Sequence, residues 1–477
     1  MVNNPLWTAA DIVQATNGHC ENTEWSANGV AIDNRSVVEG DLFIAIVGPN
    51  NDGHDYVAKA LESGAVAAIV SRIPEDVADK RKLIVVSDTL HAMEALGRTA
   101  RKRCSAKVIA VTGSVGKTGT KETLAHILSP QGKTHYSVGS FNNHWGVPLS
   151  LSRMPKDTDY AIFELGMNHA GELGPLSKMV EPHVAIITTV AAAHLEFFSS
   201  TEDIARAKAE IFEGLKVNGL ALLNGDNEHC EMLNALAKKA GINRVAVFGE
   251  QQDANIHLDN VELKPNSSEI SATIFGQSLS FTLSIPGRHW AQNVLPILGA
   301  VSEIDADLQK ACISLSTLSA PSGRGAIIKL MHDGKRFTVI DESYNASPVA
   351  MQAAFKVLGQ MKPEKSGRRI AVLGDMLELG DTSPEIHANL VNDITANSID
   401  MVYAAGPNMR HLSDALPDDL NGGYATGSSE LVQPLLAVIR DGDIILIKGS
   451  LGSKMKVVLD ALKAASDKMS DSDRVGV

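Results

Sequence analysis

The run VIAVTGSVGKTGTKETL, residues 108–124, constrains the fold more than any other part of this chain. A short apolar run ends at Gly113, Gly116-Lys117-Thr118 follows, and a helical pattern then extends from Lys117 to Leu128. A strand, glycine turn and helix in this order can wrap a polyphosphate. The glycines let backbone N–H groups approach it, the helix N-terminus adds positive potential, Lys117 reaches the terminal phosphates and Thr118 can bind magnesium. The full spacing of such a loop would put glycine at position 111, where Val111 stands, so this is a shortened variant with Gly113 taking the turn. The competing reading, a glycine-rich turn with an incidental lysine, is disfavoured by the strand before it and the helix after it. The segment predicts an α/β fold with a mostly parallel sheet. It also predicts a nucleoside triphosphate held by Gly113, Ser114, Val115, Gly116, Lys117, Thr118 and Gly119.

The rest of the chain repeats the same rhythm. With 477 residues and roughly 150 per folding unit, about three units are expected. A small α/β unit occupies residues 1–86, with GDLFIAIVG and AVAAIV as strands. A helical stretch from Asp88 to Arg103 leads into a central unit, 87–317. Its apolar runs YAIFELG, HVAIITTV, GLALLNG and RVAVFG alternate with helical patterns, including Glu202 to Leu215. Residues 256–285 switch to a period of two, which predicts a short antiparallel sheet closing this unit. SAPSGRG is linker chemistry, and a third α/β unit spans 318–463, with a hairpin at Asp333-Gly334 and strands at VIDES, RRIAVLGD, MVYAAG and DIILIKGS. A polar, unstructured tail is expected over 464–477.

Composition narrows the partners. A net charge of −13 repels nucleic acid and anionic membrane surfaces. Cys20, Cys104, Cys230 and Cys312 are too widely spaced for a zinc cluster or a disulfide framework. The amino terminus shows no basic n-region with an apolar h-region, and no run has the length of a membrane span. A cytoplasmic protein without membrane insertion is expected, and as a monomer.

Polar residues punctuate the strand ends where ligands gather in open parallel sheets. Glu164 and His194 follow two strands of the central unit and are candidate metal ligands, although a loop residue and a core histidine are the bland alternatives. Lys208 shares a helix face with Ile204, Ile211, Phe212 and Leu215, so it should be largely buried. A buried amine tends to neutrality and can form a carbamate with carbon dioxide, whereas a snorkelling lysine is the plain alternative. His289 and Asn293 stand one helical turn apart. Asp341, Tyr344 and Asn345 follow one strand of the third unit, and Asp375 and Glu378 follow another, in loops that can handle substrate or merely turn the chain.

The pieces TGSVGKT, FNNHWGVPLSL, FELGMNHAGEL, AAAHLE, AKAEIF, PGRHWAQN, DESYNASP, LGDMLELG and KGSLGSKM, in this order over nearly the whole chain, resemble the Mur ligase family of ATP-dependent amide-forming enzymes. LGDMLELG, SYNASP and the N-terminal NRSVVEGDLFIAIVG run are most similar to members that add D-alanyl-D-alanine to UDP-N-acetylmuramoyl-tripeptide. The diamino-acid-adding and folylpolyglutamate-synthase types are the alternatives within that class, and a P-loop switch or transport ATPase the alternative outside it. The resemblance implies an N-terminal domain for the uridine nucleotide, a central ATPase and a C-terminal Rossmann-like domain for the amine. It implies ATP and two Mg2+ ions, with Thr118, Glu164, His194 and a carbamylated Lys208 as metal ligands. Asn293, Arg324 and Asp341 match positions that contact ATP. Asp33, Asn34, Arg35, Asp52 and His54 fall on the uridine diphosphate side, Asn142, Asn143 and His144 follow the sugar-peptide, and Tyr344, Asn345, Asp375 and Lys448 face the amine. Two departures stand out: Asn34 replaces a usual serine, and Glu342 and Ser347 stand where the family often has Asp or Asn and then Asn.

Overall fold

The computed structural model describes residues 5–192, 196–264 and 267–466. His194, and all of the expected tail beyond residue 466, therefore lie outside the described residues. Three separate sheets are each built from the apolar runs of one stretch of sequence. The first has five strands in the order His19–Cys20, Leu83–Val85, Ala67–Val70, Asp41–Ile44, Gly29–Ala31, parallel except for the first pairing.

The central sheet has nine strands, running Gln277–Leu283, Ser268–Ile274, Ile256–Leu263, Arg244–Gly249, Leu220–Asn224, Val184–Ile187, Lys107–Thr112, Tyr160–Glu164, Thr134–Tyr136. Its chain crosses to one side of Lys107–Thr112 for the two strands that follow and then to the other side for Val184–Ile187. The phosphate-type loop thus sits at the point where strand order reverses, the place where open α/β sheets bind ligands. The period-two stretch does not close a sheet of its own. Phe248 pairs in parallel with Ile256, so the antiparallel strands extend the parallel sheet as one continuous surface. Helices Lys117–Leu128 and Arg288–Glu303 cover one face of it and share a core with its strands.

The third sheet has six strands in the order Ala326–His332, Lys335–Glu342, Ile444–Lys448, Arg369–Gly374, Met401–Ala405, Asn421–Ala425. Its hairpin turns at Asp333 and Gly334 with φ of 49° and 71°, the two positive values that a tight two-residue turn requires. Apolar clusters cover both faces of this sheet.

Helix Thr89–Lys102 joins the first two units. Asp88 caps it, accepting from His91 N at 2.8 Å, and Ala92, Met93, Leu96 and Ala100 enter the core of the first unit. Its far end is anchored in the central unit by Arg101, whose guanidinium donates to the carbonyls of Val180 and Glu181 at 2.7 and 3.0 Å. Trp7 Nε1 donates to Ser152 O at 2.7 Å, and the Arg103 guanidinium lies 3.7 Å over the Trp7 ring. Among the described residues, no helix is long and apolar enough to cross a membrane.

Candidate active site

The loop after Lys107–Thr112 has the conformation its glycines permit. Gly113 has φ of 149° and lies so close to Thr188 that a Cβ would sit 1.9 Å from Thr188 Oγ1. Gly116, with φ of 92°, opens the helix and faces Asn293, whose Oδ1 would be 3.2 Å from a Cβ at this position. Ser114 Oγ ties the loop to its neighbour, donating to Ala191 O and accepting from Ala191 N, both at 3.0 Å. Lys117 folds back over the loop, its Nζ donating to Gly113 O at 2.6 Å. Burial lowers the proton affinity of Lys117, and the Arg324 guanidinium adds to this, while Glu164 and Glu378 oppose it. Four charged groups from two sheets therefore share one electrostatic environment.

Glu164 ends its strand fully buried, with both oxygens engaged. Oε2 accepts from Thr118 Oγ1 and Oε1 from Asn142 Nδ2, each at 2.8 Å. Lys208 is 2 % exposed on helix Thr201–Ala209, among buried Ile204, Ile211, Phe212 and Leu215. The helix tightens to a 3-10 turn at Glu210–Gly214, which shortens the expected α-helix without exposing that face. Burial, and next the charge of Lys117, hold the Lys208 amine well below the usual lysine range. It makes no hydrogen bond or ion pair with a described residue, and it faces the same cavity as the loop.

That cavity encloses about 400 Å³ between the central and third sheets. Of the residues expected from sequence, it gathers Ser114 through Gly119, Asn142, Glu164, Lys208, Asn293, Arg324, Tyr344, Asn345 and Lys448. Tyr344 bridges the two units: its Oη donates to Ser140 Oγ at 2.6 Å, and the Arg324 guanidinium lies 4.7 Å from its ring centroid. A second bridge runs from Glu196 N to Glu378 O at 3.3 Å.

Other expected residues stand apart from the cavity wall. Asp341 is buried, and its Oδ2 accepts from Gly323 N at 2.7 Å, which fixes the loop carrying Arg324. Asp375 accepts from Met409 N at 2.8 Å through Oδ1 and from Ser450 N at 3.0 Å through its carbonyl. Asn143 Oδ1 accepts from Trp145 N and Gly146 N at 3.2 and 2.9 Å in the turn that leads into helix Gly146–Ser152. His144 is exposed and stacks edge-on against Trp145.

On the first unit, Asp33 caps the turn containing Asn34 and pairs with Arg35 at 2.6 Å, exposed to solvent. His54 is buried with both ring nitrogens occupied. Ser71 N donates to Nε2 at 2.9 Å, so the proton must be on Nδ1, which donates to Asp52 at 2.6 Å. Burial opposes the charge on Asp52, yet hydrogen bonds from His54 and Arg72 hold its carboxyl at about 2. The segment after Ser140 connects the two regions. Asn142 touches Glu164, while Trp145 packs so closely on Gly48 that a Cβ there would meet its ring at 3.0 Å.

The cavity also takes in Glu342, Glu378 and His289, which the sequence raised without a definite role, and Ser140, Asn168 and Ser450, which it did not raise at all. Burial and the Lys448 charge hold His289 below the usual histidine range, against the pull of Glu342. Strand register was the available signal for Glu342, since it pairs directly with Lys448 in the parallel ladder.

Comparison with known proteins agrees with this arrangement. The Mur ligase family catalytic domain matches residues 26–101, the Mur ligase middle domain 111–301, and the Mur ligase glutamate ligase domain 324–451. The UDP-N-acetylmuramoyl-tripeptide--D-alanyl-D-alanine ligase of Rickettsia prowazekii is 35% identical over 91% of this chain and 95% of its own length. The chain belongs to the Mur ligase family. The Escherichia coli ligase of the same name is 34% identical over 96% of this chain and 98% of its own. Among solved structures, MurF from Acinetobacter baumannii superposes with a TM-score of 0.84 at 31% identity, covering 96% of this Mur ligase and 99% of that chain. MurF from Thermotoga maritima in complex with ADP gives 0.75 at 26% identity, over 92% and 97%.

Proposed function

We propose that this Mur ligase is the ATP-dependent enzyme that joins D-alanyl-D-alanine to UDP-N-acetylmuramoyl-tripeptide through an acyl phosphate. The observation that carries the reading is the end-to-end match to ligases of that name at 35% and 34% identity. A carboxylate acylates poorly, so the terminal phosphoryl group of ATP is first moved onto the tripeptide carboxylate. The dipeptide amine then forms the C–N bond as the C–O bond to phosphate breaks, and phosphate leaves with the bonding pair.

In this reading the backbone of Ser114–Gly119 and Lys117 hold the phosphates, Asn293 faces the nucleotide beside Gly116, and Arg324 approaches from the third unit. Asp341 acts through the loop it fixes. Lys117 and Arg324 offset the charge that gathers when ATP meets a carboxylate. The paired Thr118 hydroxyl and Glu164 carboxylate form an oxygen donor set suited to Mg2+, which when bound would polarise phosphate oxygens. Burial and the nearby Lys117 charge, which lower the proton affinity of Lys208, favour carbamylation of its amine, which with His194 would supply ligands for a second ion. The first unit, residues 1–86, takes the uridine diphosphate near Asp33–Arg35 and the Asp52–His54 turn. The sugar and peptide follow Asn142 to His144, along the segment that reaches both Gly48 and Glu164. The central unit, 87–317, holds ATP, and 318–463 receives the dipeptide beside Tyr344, Asn345 and Lys448. Asp375 shapes the floor of that site. The enzyme acts as a cytoplasmic monomer.

The test is phosphate release from ATP with UDP-N-acetylmuramoyl-tripeptide, with and without D-alanyl-D-alanine. Stoichiometric release only with both is expected, and release without either would instead indicate a P-loop switch or transport ATPase.

A further inference from the structure

Three carboxylates face the cavity: Glu164, Glu342 and Glu378. Glu164 has both oxygens occupied by Thr118 and Asn142, and Glu378 lies in the field of Lys117 at the phosphate end. Glu342 differs from both. Its Oε2 is held by Lys448 Nζ at 3.1 Å, and Oε1 accepts no hydrogen bond from a described residue. Lys448 is almost fully buried and is itself fixed by Asn345 O at 3.0 Å, so the carboxylate is oriented with one oxygen left over. The side chain of Glu342 keeps 22% of its exposure. Oε1 lies against the backbone of Gly325, 3.3 Å from where a Cβ would stand there.

We infer that Glu342 anchors the ammonium group of the incoming amine on Oε1. The inference rests on the ligase reading above and deepens it by naming the residue that receives the amine. A fixed carboxylate oxygen makes a short, charge-assisted hydrogen bond to an ammonium. Lys448, already balanced by Glu342, orients the anchor without repelling the amine.

Glu342→Gln and Glu342→Asp would be assayed with two nucleophiles, D-alanyl-D-alanine and hydroxylamine, which is uncharged at neutral pH and needs no ammonium anchor. For Glu342→Gln the dipeptide KM should rise at least tenfold and that of ATP less than twofold, with hydroxamate formation falling less than threefold. Glu342→Asp should restore part of the dipeptide KM. An unchanged dipeptide KM, or an equal fall with both nucleophiles, overturns the anchor. If the glutamine variant does not fold, an aspartate variant with a wild-type dipeptide KM overturns it as well. Absence of hydroxamate from the wild-type enzyme would instead remove the ligase reading itself.

Discussion

Lys117 and Lys208 are two buried amines in one cavity with different consequences. Lys117 is bound to its own loop and surrounded by Glu164, Glu378 and Arg324. Lys117→Ala should leave less than a tenth of wild-type ligation, because losing ~1.4 kcal/mol of transition-state stabilisation already costs tenfold. Steady-state phosphate release measures this. Lys208 has buried apolar neighbours and a depressed proton affinity, so its chemistry depends on being neutral. Lys208→Ala should lower turnover at least tenfold, and formate should restore part of it by supplying an anion where the carbamate stood. Near-normal activity of the alanine variant would show that the buried amine takes no part in turnover. The burial of Lys208 was legible because apolar residues at i−4, i+3 and i+4 mark one helix face, and a short 3-10 turn does not rotate that face away. Glu342 stood out in the sequence only as a departure from the family pattern, because a single acidic residue after a strand looks the same whether it caps a turn or faces a cavity.

At the scale of elements, what could be read depended on apolar content. Helix Lys117–Leu128 begins and ends where the sequence pattern places it, and strands such as Leu220–Asn224 announce themselves by continuous burial. Strand Asn421–Ala425, reading NGGYA, carries no such signal and exists because Met401–Ala405 offers it an edge to pair with. Asn143 Oδ1 accepts from Trp145 N and Gly146 N, a local turn role that asparagine fills in many loops and that leaves its expected place beside substrate open. The central sheet also contains a pH-sensitive joint. Val108 N donates to His183 Nδ1 at 2.9 Å, so a second ring proton would oppose this bond. Burial, with Arg101, Lys216 and Lys107 nearby, holds His183 at about 4 against a usual 6.5. Between these values the unfolded chain binds more protons than the folded one. The contribution of His183 is therefore complete above 6.5 and is lost as pH falls toward about 4. Urea midpoints at pH 7 and about pH 5 should fall less for His183→Asn, which keeps an acceptor without a titrating ring.

Over the whole molecule, the first and central units share helix Thr89–Lys102, whereas the third meets the central one through a few polar bridges around the cavity. Solution scattering should show a smaller radius of gyration with ATP and the UDP-substrate together than with neither. An unchanged value at saturation would count against closure. The division into three α/β units was legible because each apolar run pairs within its own stretch of sequence. The shared helix was legible too, from its apolar face and its basic end; what the sequence left open was that the two serve different units. The cavity walls have a further consequence. Since Lys117 stands on one unit and Arg324, Glu342 and Lys448 on another, no ligand can fill the space without touching both. A molecule bound there acts as an adhesive, and part of its affinity is spent as cohesion between the two bodies. Tight occupancy would fuse their melting into a single event.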